Sequence, residues 1–215
     1  MRAMAVVESA EQGNAWEQRR VQVALRIELA GLRLIDQRGL DAVTVEQIAT
    51  EAGISVRTFF RYFRNARDIL TAVPVRESRR MCRALLERPA GESLVDGFHG
   101  WFHEMDHSPD LSTPTGVLEQ EAVELWSVVV REAPDLIESE SRVVTALTAE
   151  LQEVVRVRTG FGVVDDEKVG VLSAAFAAVI WYVFKRSLGA GDPNLQGRLD
   201  EAFDLLAQLH ATKAV

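Results

Sequence analysis

The chain has 215 residues, 47% hydrophobic and 26% charged, with one cysteine, Cys82. That composition excludes disorder throughout, a disulfide framework and a cysteine-rich metal site. The net charge of −8 is uneven: residues 1–88 hold 15 Lys/Arg against 11 Asp/Glu, and residues 89–215 hold 9 against 21.

Residues 1–16 show no clear periodicity, contain Gly13 and Asn14, and read as a flexible tail. The stretch Met1 to Val7 is apolar but soon meets Glu8 and Glu11, so it does not read as a signal peptide. From Glu17 the apolar period is helical, with Val23, Ile27, Ala30, Leu34 and Ile35 on one stripe and Gly39 as the stop. Thr44 and Gln47 have capping-box spacing for a short helix through Ala52. Gly53 breaks that helix, and Ser55 caps a second one, expected over Val56 to Tyr62. Asn65 caps the next, which runs toward Glu87 with a bend expected at Pro74.

Pro89-Ala-Gly91 marks a boundary. Helical stretches follow near 92–107, 115–132, 135–159, 166–188 and 194–212, and Asp192-Pro193 reads as a cap with proline at the first helical position. The longest uncharged run, Val169 to Phe184, has 16 residues, short of the roughly 18–20 a membrane span needs. The expectation is an all-α, cytoplasmic protein with no membrane partner. Its divisions read as a tail over 1–16, a helix-turn-helix domain over 17–64, a connecting helix over 65–88 and a larger helical domain over 89–215.

The segment Thr44 to Phe63 carries most of the functional signal. A capped short helix, a turn at Ala52-Gly53-Ile54-Ser55 and a second short helix have helix-turn-helix spacing. The second helix presents Arg57, Thr58, Arg61 and Tyr62. Arginine makes bidentate contacts to phosphate or guanine, and hydroxyls suit phosphate oxygens. Thr44, Asn65 and Arg67 flank this set and complete the candidate DNA contacts. Phe59 and Phe63 read as core. Arg19 and Arg20 are either phosphate contacts or a solvated pair. The basic N-terminal balance agrees with a polyanion-binding module on an acidic body.

Ile27 through Leu70 resembles the DNA-binding domain of the TetR family of transcriptional regulators. The matching residues are Ile27, Ala30, Leu34-Ile35 and Gly39, then Thr44-Val45, Ile48-Ala49 and Ala52-Gly53-Ile54-Ser55, then Thr58-Phe59-Phe60-Arg61-Tyr62-Phe63 and Leu70. Phe60 stands where the family usually has tyrosine, and Ala66 where it usually has a lysine that meets the DNA backbone. The resemblance implies operator DNA as one partner, a small-molecule effector bound in the C-terminal region as another, and a homodimer.

The C-terminal region agrees with that implication in composition. Trp101, Phe102, Met105, Trp126, Trp181 and Tyr182 either line an apolar cavity or fill a core, with His103 as a polar anchor if they line one. His99, His103 and His107 recur every four residues on one helix face. They read as a metal pair, a polar patch or a helix C-terminal feature, and no metal or other cofactor is assigned. Cys82 reads as buried or redox-active. The last two helices are the expected dimer interface, with Ala174, Ala175, Ala177 and Ala178 on one and Phe203, Leu206 and His210 on the other. The function expected is a repressor released from DNA by an apolar or aromatic effector. The alternative is a helical protein-interaction adaptor. No G-x-S-x-G, P-loop, G-x-G-x-x-G or H-E-x-x-H motif supports an enzyme.

Overall fold

The computed structural model describes residues 2–89, 91–104, 109–137, 141–160, 165–190 and 194–211. These residues form nine α-helices and no strand. The helices are α1 (Arg2–Arg38), α2 (Val45–Glu51), α3 (Val56–Phe59), α4 (Ile69–Glu87), α5 (Leu94–Glu104), α6 (Pro114–Glu132), α7 (Ser141–Thr159), α8 (Asp166–Ala190) and α9 (Leu195–Ala211). Short 3-10 turns lie at Leu40–Ala42, Ala66–Asp68 and Pro134–Ile137. Helix α1 begins at Arg2, so it takes in most of the stretch expected as a flexible tail over 1–16. No proline precedes Pro74, and Gly13 and Asn14 alone do not stop a helix. The Asp192-Pro193 cap lies outside the described residues.

The chain divides into two compact units: Met1–Leu70 with Ser108–Val129, and Thr71–His107 with Val130–Val215. The punctuation at Pro89 suggested a different grouping, with all of 89–215 together. Helix α6 carries the difference, because most of it groups with the N-terminal helices.

In the first unit, α1 buries Leu25, Ile27, Leu29, Ala30, Leu32, Leu34 and Ile35, while α2 adds Ile48 and Ala49 and α3 adds Phe59. Each fully buried large side chain contributes about 1.5–3 kcal/mol relative to exposure. Gly31 permits the close passage of the α4 start, since a Cβ there would stand 2.2 Å from Ile69 Cδ1. Helix α6 attaches through polar links as well: Gln22 donates to Thr115 at 3.3 Å, and Arg33 pairs with Glu121.

Trp126 of α6 is buried and donates its indole N–H to the Leu70 carbonyl at 2.7 Å. That carbonyl is the one Pro74, four residues on, has no N–H to reach. The indole therefore satisfies a helix acceptor that the proline orphans.

The second unit holds α5, α7, α8, α9 and most of α4 around Met81, Leu85, Phe98, Leu151, Val155 and Phe203. Helices α7 and α8 make its most extensive pair. The Arg158 side chain, 2% exposed, donates to the carbonyls of Pro89 at 2.6 Å and Glu92 at 3.2 Å and also to Leu85 O. One guanidinium thereby ties the end of α4 to the approach of α5. Helix α8 is long and apolar enough over Asp166–Ser187 to cross a membrane by length and composition, beyond the 16-residue run counted from sequence. Val169, Ser173, Ala177 and Trp181 recur at every fourth position along it and are buried, which is the pattern of a helix packed on one side.

Candidate nucleic-acid interface and C-terminal cavity

Three local caps shape the helix-turn-helix of the first unit. The Thr44 hydroxyl accepts from Gln47 N at 3.3 Å and the Gln47 side chain accepts from Thr44 N at 3.0 Å, a reciprocal capping box. Ser55 accepts from Thr58 N at 3.1 Å, and Asn65 accepts from Asp68 N at 3.0 Å. Between α2 and α3 the chain turns at Gly53, whose φ of 66° suits a residue without Cβ. Ile54 N reaches back to Ala49 O at 2.9 Å and closes the turn.

Helix α3 is shorter than Val56 to Tyr62. After Phe59 the ladder tightens, with Arg61 N bonding to Thr58 O at 3.1 Å and Tyr62 N to Phe59 O at 2.9 Å. The tighter winding accompanies the burial of both Phe59 and Phe63, whose ring centroids lie 5.7 Å apart.

The residues expected to touch DNA lie along these elements. Arg57, Arg61 and Arg67 are exposed, as are Thr44 and Asn65, and Thr58 and Tyr62 are half-buried. The Thr58 hydroxyl shares a 2.9 Å hydrogen bond with Ser55, which holds it at the start of α3. Thr44 and Asn65 use their side-chain oxygens as caps. Between Glu51 and Asp68 the chain has four arginines, including Arg64, and no acidic residue. Phe60, 56% exposed, stands among them. Arg20 sits 3.7 Å from Glu17 and stacks over Trp16, so that part of the expected basic pair has local partners.

The second unit contains a cavity of about 240 Å³. Met81, Trp101, Leu147, Ile180, Trp181 and Phe184 supply apolar walls, with Glu77 and Ser78 as polar groups on α4. Among the expected ligand residues, Trp101 and Trp181 line it. Tyr182 is 63% exposed and is not part of the lining, because consecutive residues on a helix point about 100° apart. Trp126 is the buried donor of the first unit. The Phe102 side chain and Met105 lie outside the described residues, as do His107, the Leu206 and His210 side chains and so those parts of the expected histidine row and dimer face.

His103 is not in the cavity lining. Its Nε2 is 3.1 Å from Asp200 Oδ2, and His99 Nδ1 is 2.7 Å from Asp200 Oδ1. Asp200 was not legible in sequence as a partner because it lies on α9, about a hundred residues away. Cys82 is buried, and its thiol is pushed up to about 12 by that burial and, secondarily, by the charge of Glu150. A thiol held protonated in this way is a poor nucleophile.

Residues 29–73 match the bacterial regulatory proteins of the tetR family. Over 176 residues the chain is 27% identical to the HTH-type transcriptional regulator TcmR of Streptomyces glaucescens, a match covering 80% of this chain and 76% of that protein.

Proposed function

We propose that the chain is a DNA-binding transcriptional regulator of the tetR type, a cytoplasmic homodimeric repressor released from its operator by a small effector; the match of residues 29–73 and the similarity to TcmR support this reading. The observation that carries this reading is the run of four arginines without an acid, exposed along a capped helix-turn-helix. Arg57 and Arg61 are four residues apart and serve as base or phosphate contacts; Thr44, Thr58, Tyr62, Asn65 and Arg67 position the backbone. Arg64 or Arg67 supplies the cation absent at Ala66.

The effector occupies the cavity of the second unit. Its volume lies just under the usual 300–1,000 Å³ range for ligand pockets, which favours a compact, apolar or aromatic molecule. Glu77 and Ser78 select a polar substituent on one side. Helix α4 begins in the DNA-binding unit and lines the cavity with Pro74 and Met81, so it is the continuous element through which occupancy biases the two states.

Anisotropy titrations against DNA from upstream of the protein's own gene test the DNA half. Arg61→Ala is expected to weaken binding by about 1–3 kcal/mol if the side chain reads a base. Unchanged affinity at matched salt for Arg57→Ala and Arg61→Ala combined would remove the proposed reading surface.

A further inference from the structure

We propose that His99, His103 and Asp200 form a site for one divalent transition-metal ion, of the Zn²⁺, Co²⁺ or Ni²⁺ class, that clamps α5 to α9. Two histidines at i and i+4 share one face of α5, and the carboxylate of α9 meets both. The three ligand atoms lie within 4.8 Å of one another. The imidazole rings are stacked, with centroids 6.4 Å apart and planes 18° from parallel, so the two nitrogens reach the same carboxylate from one side. The side chains of His99, His103 and Asp200 are 29%, 48% and 30% exposed, which leaves the cluster open to an ion from solvent.

The distances suit the exchange of hydrogen bonds for metal bonds. A tetrahedral ion with bonds of about 2.0–2.1 Å holds its ligand atoms about 3.3 Å apart. The contacts of 2.7 Å from His99 and 3.1 Å from His103 go to different oxygens of Asp200, so an entering ion turns the carboxylate or takes both oxygens, and ligand atoms now within 4.8 Å of one another settle toward that spacing. In the metal-bound site the ligating nitrogens carry no proton: His99 ligates through Nδ1 and His103 through Nε2. Two imidazoles and one carboxylate discriminate against Mg²⁺ and Ca²⁺, which prefer all-oxygen shells. Three protein ligands leave at least one position for water or another donor. The clamped helices also supply Trp101 and Leu195 to the cavity wall, so the ion fixes one side of it.

The test uses the full chain without a polyhistidine tag, stripped with chelator. Calorimetry with ZnCl₂ is expected to give one site per chain, unaffected by excess Mg²⁺, and CoCl₂ is expected to give the visible bands of a low-coordinate ion. His103→Gln and Asp200→Asn are each expected to lose at least about tenfold in affinity, the scale on which even supporting partners act. Circular dichroism checks that both variants remain helical. Imidazole NMR of the wild-type chain provides a readout free of any folding defect: Zn²⁺ should shift His99 and His103. No binding at millimolar Zn²⁺, equal affinity in the folded variants, or shifts confined to His107 and His210 would each overturn the proposal.

Discussion

At the scale of single residues, burial decides which polar groups are available for chemistry. Cys82 shows it most directly. Its thiol is raised to about 12 from an ordinary 9.0, first because burial disfavours the thiolate and then because Glu150 adds negative charge. The unfolded chain loses this proton from about pH 9 upward, whereas the folded chain keeps it. The corresponding stability is therefore full below pH 9 and declines as pH rises toward 12. Urea titrations at pH 8 and pH 10 should show a larger drop in midpoint for the wild type than for Cys82→Ala. In the native state at pH 8, an alkylating reagent should modify Cys82 only as fast as the protein opens. Rapid native alkylation, or equal pH sensitivity in the two proteins, would contradict the burial argument. Glu92 has the opposite sign: hydrogen bonds from Arg88 hold its carboxyl below the usual range, so its contribution is present at neutral pH and fades on acidification.

At the scale of elements, the Pro74–Trp126 relation makes a quantitative prediction. Trp126→Phe removes the indole N–H from the buried Leu70 carbonyl, a loss of about 1–3 kcal/mol beyond the change in ring volume. Pro74→Ala restores a backbone N–H at the position that would ordinarily serve this carbonyl. Combined with Pro74→Ala, Trp126→Phe should therefore cost less than it does alone, which a double-mutant cycle of denaturation midpoints measures. Strict additivity would show that the two residues are unrelated.

The caps at Thr44, Ser55 and Asn65 are legible in sequence because donor and acceptor are three residues apart. The short α3 is not, since its end follows from where Phe59 and Phe63 find space. Sequence leaves Trp126 open between cavity and core, because its acceptor lies 56 residues away. Along α8, large or small apolar residues occur on every side, so periodicity alone does not separate Trp181, on the cavity, from Tyr182, in solvent.

At the scale of the whole molecule, α8 leaves one face uncovered. Val171, Ala174, Ala175, Ala178 and Tyr182 are exposed and share one side of the helix, over a rise of about 16 Å. Ala177, also expected on this surface, is fully buried and faces the chain's own core. A continuous apolar stripe of small residues ending in a tyrosine suits close packing against another helix. In the proposed dimer a two-fold copy of the chain would provide that helix and also two reading elements, as a pseudo-palindromic operator with half-sites about 34–36 Å apart requires. Ala178→Glu discriminates between an interface and an idle surface. In a lone chain the new carboxylate sits in water, and the cost is within about 0.5 kcal/mol. Across a two-fold axis it is buried twice, each copy carrying the same added charge against an apolar face. Light scattering at micromolar concentration should give twice the 23.9 kDa chain mass for the wild type and a smaller average mass for Ala178→Glu. Operator affinity should fall with it, although the substitution leaves the helix-turn-helix sequence unchanged, while thermal unfolding at low protein concentration stays close to wild type. A variant that remains dimeric and binds operator normally would assign this face to something other than dimerisation.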